Sequence, residues 1–197
     1  MKIKTWMMAG GLAVCLLVQP AVGEQFEDGV AAYDRGDYAT ALQLFQSLAD
    51  QGLAEAQFDL AILYANGQGV AQDYVEAAKW YRLAAEQGVA GAQFNLGLLY
   101  EFGHGIPQDY ASAEKWYRLA AEQSVAQAFV RLAVMYYKGQ GVQQDFIQAY
   151  VWGSLGAAGG FPLSKEARDA LSKRMTPDQI GEAQRLVQEW LTAHPKQ

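Results

Sequence analysis

Asp73, Asp109 and Asp145 recur at one fixed interval, and carboxylates at a fixed spacing raise the question of acid–base chemistry. Two carboxyl groups that flank one scissile glycosidic bond stand roughly 5 to 10 Å apart. These three occupy equivalent places in successive copies of one motif, each just ahead of an apolar-periodic run. That places them about one helix-pair repeat, roughly 20 Å, from one another, as helix caps. His104 lies in a loop where the sister copies carry Gln68 and Gln140, so it reads as a solvent-exposed loop residue, and His194 stands near the C-terminal end. The Gly-x-Gly pairs Gly67/Gly69, Gly103/Gly105 and Gly139/Gly141 have neither a preceding strand nor a following lysine, which makes them turns rather than phosphate cradles. No His-x-x-x-His and no Gly-x-Ser-x-Gly occurs. The columns Trp80/Trp116/Trp152 and Tyr64/Tyr100/Tyr136 suit a sugar or cofactor platform by type, but their strict recurrence reads as core packing. The expectation is a chain without catalytic, cofactor-binding or metal residues, and so not an enzyme.

The elements that would position any site must fit in 197 residues of globular composition, 51% hydrophobic and 18% charged. Lys2 and Lys4 precede an apolar run from Trp6 to Val18, followed by Pro20 and the small residues Ala21-Val22-Gly23. This is the pattern of a secretory signal peptide over residues 1–23, cut after about Gly23. The run of about thirteen residues is too short to cross a bilayer core of about 30 Å. Cys15 follows Val14 and is followed by Leu16-Leu17-Val18, a context unlike a lipidation signal, and it is the sole cysteine. The mature chain therefore has no thiol chemistry, and loss of the two signal lysines moves the net charge from −6 to −8. An acidic chain without a Lys/Arg run is not built for nucleic acid or anionic lipid. The expected location is the periplasm.

Shifted against itself, the sequence repeats with a period of thirty-six. KWYRLAAEQ appears from Lys79 to Gln87 and again from Lys115 to Gln123. Asp37-Tyr38, Asp73-Tyr74, Asp109-Tyr110 and Asp145-Phe146 fall on the same register, as do Ala41, Ala77, Ala113 and Ala149. Each unit reads as two helices. In the middle copy the first runs from about Ala90 to Phe102, with Ala92, Leu96, Leu99 and Tyr100 on one side, and stops at Gly103. Ile106, matched by Val70 and Val142, tucks under the turn. Asp109 caps the second helix, and Asp73 with Glu76 and Asp145 with Gln148 have capping-box spacing. Within KWYRLAAEQ, Trp80, Tyr81, Ala84 and Ala85 face the neighbouring unit, while Lys79, Arg82, Glu86 and Gln87 face water. One such helix pair cannot bury its apolar face alone, so copies must stack.

The stretch AQFNLGLLYEFGHGIPQDYASAEKWYRLAAEQ resembles the Sel1-like repeat, a relative of the tetratricopeptide repeat with a longer inter-helix loop. Three copies fit, over 53–88, 89–124 and 125–160. Residues 24–52, with the short turn in DRGDYATALQLFQSLADQG, resemble a tetratricopeptide-like N-terminal cap, and 161–197 reads as C-terminal capping helices. There Ser164 to Met175 forms one helix, and Thr176, Pro177 and Gln179 supply the cap, first helical residue and box partner of the next. Gly153 and Gly156 replace the Tyr and Ala of the earlier copies and weaken the third unit's second helix by roughly 1 kcal/mol each. The resemblance implies an all-α, right-handed α-solenoid of antiparallel helix pairs, acting as an adaptor. Secreted relatives include envelope-signalling regulators and polysaccharide-export scaffolds. A cysteine-rich branch credited with β-lactam binding or hydrolysis carries a disulfide pair per repeat that this chain lacks.

A binding surface must differ from copy to copy where the scaffold repeats. On the first helix of each unit the varying positions share one face. They read Glu55, Asp59, Ile62, Asn66; then Gly91, Asn95, Leu98, Phe102; then Gln127, Arg131, Val134, Lys138. The face runs from acidic through apolar to basic. The expectation is a groove for a peptide or protein segment of a cell-envelope partner, read by Glu55, Asp59, Asn95, Leu98, Phe102, Arg131 and Lys138. Leu98 and Phe102 would anchor apolar groups, and Arg131 and Lys138 would meet an acidic one. The competing readings are a cell-wall or β-lactam enzyme and a polysaccharide or peptidoglycan binder.

Overall fold

The structure, a computed structural model, describes residues 12–160 and 169–194, with side chains from residue 22 onward. Lys2, Lys4 and Trp6 of the signal pattern lie outside the described residues, as does the start of the closing helix expected at Ser164. The helices are α1 (Leu12–Asp34), α2 (Tyr38–Asp50), α3 (Ala54–Asn66), α4 (Tyr74–Glu86), α5 (Ala90–Phe102), α6 (Tyr110–Glu122), α7 (Ala126–Lys138), α8 (Phe146–Ala158) and α9 (Pro177–Ala193). No strand occurs among the described residues. No helix among them is long and apolar enough to cross a membrane. They form two compact units that divide between Gln72 and Asp73.

In the first unit α2 packs against both α1 and α3. Ala41, Phe45, Leu48 and Ala49 of α2 are buried, with Ala32 from α1 and Leu60, Ala61 and Leu63 from α3. The Phe45 ring fits because residue 29 is glycine: a Cβ there would lie 2.7 Å from the ring. Gln57 is buried, and its amide donates to the Ala49 carbonyl at 3.2 Å, tying the start of α3 to the end of α2.

In the second unit α4 packs on α5, α5 on α6, α6 on α7, α7 on α8 and α8 on α9. Within KWYRLAAEQ the expected division holds: Trp80, Tyr81, Ala84 and Ala85 are buried, and Lys79, Arg82, Glu86 and Gln87 are exposed. Trp152 is buried too, but Trp116 and the tyrosines Tyr64, Tyr100 and Tyr136 are half-buried, so these columns edge the core instead of filling it. The tyrosine hydroxyls have work at that edge. Arg82 donates to Tyr100 Oη at 2.8 Å and, thirty-six residues on, Arg118 donates to Tyr136 Oη at 2.8 Å.

The inter-helix loops explain the Gly-x-Gly pairs. Gly103 closes α5 in the left-handed conformation, φ 68°, and its N–H bonds the Leu99 carbonyl. Gly105, φ 71°, rests on the start of α4, where a Cβ would come within 2.3 Å of the Tyr74 carbonyl carbon. Gly141 meets Tyr110 in the same way, and Gly69 meets Tyr38 in the first unit. A glutamine at the end of each loop locks it. Gln72, Gln108 and Gln144 donate to the carbonyls of Ala65, Glu101 and Tyr137, each at 2.7 Å.

The caps follow expectation in part. Asp73 accepts from the N–H groups of Val75 and Glu76, Asp109 from those of Ala111 and Ser112, and Asp145 from that of Gln148. Hydrogen bonds from Ser112 hold the Asp109 carboxyl below the usual carboxylate range. The reciprocal half of the box is not made at Asp73: Glu76 turns to Lys79, 3.3 Å away, because that ammonium lies one turn along the exposed face. The full box forms at Thr176 and Gln179, with Pro177 opening α9. A helical stretch over 169–172 precedes it.

Candidate binding face

The face predicted from the varying positions divides between the units. In the second unit Phe102 ends α5 with half its surface exposed. The Arg131 guanidinium lies over its ring, 5.5 Å from the centroid, within cation–π range. Leu98, one turn earlier, is half-buried and packs against the core of α6–α9, so only part of it is available to a partner. Asn95, Gly91 and Val134 are half-buried, and Lys138 and Gln127 are exposed. Lys138 sits in the last turn of α7, where the helix dipole favours a cation.

Arg131 is not the free cation the sequence suggested. It pairs with Glu101 at 3.4 Å. Glu101 is a buried carboxylate that sequence reasoning missed; its second oxygen accepts from the Tyr117 hydroxyl at 2.5 Å. Tyr117 is fully buried over Gly97, where a Cβ would lie 2.6 Å from the ring, so glycine at 97 makes the room that brings the hydroxyl to Glu101. Burial first, and then the carboxylate, hold the Tyr117 hydroxyl protonated far above its ordinary range. A signal for this pair was in the sequence: Glu101 stands on the thirty-six-residue register with Ala65 and Tyr137, an acid where the two sister copies carry an apolar and an aromatic residue.

His104 is exposed, as expected for its loop, yet it is not idle. Its ring stacks 5.0 Å from Tyr74 and lies 5.9 Å from Phe102. The result is a row of Arg131, Phe102, His104 and Tyr74 along one surface of the second unit. His194 stacks on Trp190 at 4.1 Å, and its Nδ1 lies 3.0 Å from the Trp190 carbonyl. Among the described residues no group of three His, Cys, Asp or Glu is placed to hold a metal ion.

In the first unit Glu55 is exposed and Asp59 half-buried on α3. Burial, with the neighbouring Glu55 charge second, pushes the Asp59 carboxyl up to about 6. Ile62 shares its recess, and Asn66 at the helix end donates to Gln68.

The hairpins built of a glycine-capped first helix, a loop resting on the preceding unit and an aspartate-capped second helix define a helix-pair repeat protein. The Sel1 repeat model matches residues 22–53, 54–89, 90–125 and 126–161, and the chain belongs to the Sel1 repeat family. The first match covers the segment that resembles a tetratricopeptide-like cap. At 32 residues against 36 for the others, it turns at Arg35–Asp37 in place of the Gly-x-Gly loop. Among solved structures the chain is similar to a Sel1 repeat protein from Oxalobacter formigenes, 36% identical over 71% of this chain and 56% of that one, TM-score 0.66. It is also similar to c5321, a protective antigen present in uropathogenic Escherichia coli strains, 28% identical over 88% of this chain and 46% of that one, TM-score 0.61. The chain thus spans about half the length of these two structures. A comparison with curated proteins found no match. Repeats of this fold are generally protein–protein interaction modules.

Proposed function

We propose that this chain is a non-catalytic interaction module of the bacterial cell envelope, which binds a segment of a protein partner over the first-helix face of α5 and α7. The observation that carries the reading is Phe102. A half-exposed aromatic ring is held in place by Arg131 at a position where the sister copies carry Asn66 and Lys138. Rigid aromatic and arginine groups are what binding energy concentrates on. Asn95 and the outer part of Leu98 extend the surface along α5, and Lys138, exposed in the last turn of α7, is the cation that meets an acidic group of the partner. Arg131 contributes its flat face while its charge is shared with Glu101. The signal-peptide pattern of residues 1–23 supports placement in the envelope.

The test is capture of partners from an envelope extract by the wild-type chain and by Phe102→Ala combined with Lys138→Gln. Circular dichroism should show the variant folded, with the specific partner lost. An unchanged set of captured proteins would refute the use of this face.

A further inference from the structure

The first unit contains a recess between α1, α2 and α3, lined by Val30, Tyr33, Phe45, Asp59 and Ile62, with a volume of about 120 Å³. Four of its five walls are apolar or aromatic. The fifth is a carboxylate with no hydrogen-bond donor or cation against it among the described residues; the charge that acts on it is Glu55, one turn back on α3 and exposed. Tyr33 gives Asp59 no relief, since its hydroxyl donates to Gln68 at 3.3 Å. Gly29 seats the buried Phe45 ring that forms the inner wall, while Val30, Tyr33 and Ile62 form the more exposed rim.

We propose that this recess receives the side chain of a lysine from a protein partner, its four-carbon stem against Val30, Tyr33, Phe45 and Ile62 and its ammonium on Asp59. Charge complementarity selects a cation, because an uncompensated, half-buried carboxylate with a second acid nearby is costly until a positive group arrives. The apolar walls select a cation on an aliphatic stem over a bare inorganic ion. A cavity of about 150 Å³ holds a benzene-sized molecule, so the space suits a slender chain ending in a compact ammonium better than a planar guanidinium fork. The assignment rests on the proposed reading that the partner is a protein, but the recess is tested without that partner.

The experiment titrates the full chain with Nα-acetyl-lysine amide while the methyl resonances of Val30 and Ile62 are followed by NMR. The expected result is saturable shifts of both residues, weakened about tenfold or more by Asp59→Asn, the worth of a charge-assisted hydrogen bond. The same compound acetylated on Nε, which keeps the stem and loses the charge, should give no saturable shift. Equal shifts from the Nε-acetylated compound, binding that survives Asp59→Asn, or a tighter response to the arginine analogue would each overturn the lysine assignment. Such a failure is distinct from failure of the α5–α7 face, which is read from partner capture by Phe102 variants.

Discussion

Arg131 of α7 reaches back thirty residues to Glu101 of α5, 3.4 Å from its carboxylate, while its guanidinium covers the Phe102 ring next along the chain. One side chain thus neutralises a buried acid and holds an exposed aromatic in place. Charge reversal at 131 therefore damages more than a binding surface, because it sets a carboxylate against Glu101. Arg131→Glu should lose about 1–2 kcal/mol more stability than Arg131→Gln, as judged by urea denaturation. Equal losses would mean that Glu101 does not depend on Arg131.

Tyr117 supplies the other support of that acid. Tyr117→Phe removes the hydroxyl at 2.5 Å from Glu101 and leaves a buried carboxylate one donor short. The expected cost is about 1–3 kcal/mol. Combined with Glu101→Gln, the two changes should couple, and a double-mutant cycle in urea reads the coupling. Strict additivity would contradict the bond.

Ser124 and Gly105 make opposite predictions about the backbone. Ser124 holds φ 64° where the other copies have Gly52, Gly88 and Gly160, and it is the one non-glycine residue with positive φ among those described. Ser124→Gly should raise stability by a few tenths to about 1 kcal/mol. Gly105→Ala should lower it by about 3 kcal/mol or more, since strain at φ 71° adds to a clash with the Tyr74 backbone. Gly88→Ala has open space around the new methyl and should lose only about 1 kcal/mol. Thermal unfolding of the three variants orders them.

Asp59 gives a pH dependence with a definite sign. Its carboxyl is raised from 3.8 to about 6, so between those values the native chain holds a proton that the unfolded chain releases. This contribution is present below 3.8, declines as pH rises through the window, and is gone above about 6. Asp59→Asn should therefore stabilise the protein at pH 7.5, by about 1 kcal/mol once solvent access is allowed for, and have little effect at pH 3.5. A benefit that is the same at both pH values would contradict the burial of Asp59.

The period-36 scaffold was legible because every interface poses the same packing problem, so Trp80, Asp109 and Gly103 announce their roles by recurring. The helix from Ala90 to Phe102 matches α5 end to end for that reason. What stayed hidden depends on contacts between helices. The Glu101–Tyr117 bond depends on Gly97 letting a ring from another helix approach, and Arg131, expected to meet an acidic group of a partner, instead lies beside Glu101. The capping box at Asp73 failed because Lys79 competes for Glu76. The recess at Asp59 needed Val30 and Phe45 from two other helices, which no spacing on α3 reveals.

The central claim is that partners are read where the copies differ, on the first helices. Photo-crosslinking amino acids placed singly at Asn95, Phe102 and Lys138, and at Lys79 and Lys115 as exposed second-helix controls, test it inside the cell. The account predicts adducts to one shared protein from the first three positions and none from the two lysines. Adducts to that protein from Lys79 and Lys115 with none from Phe102 would contradict it.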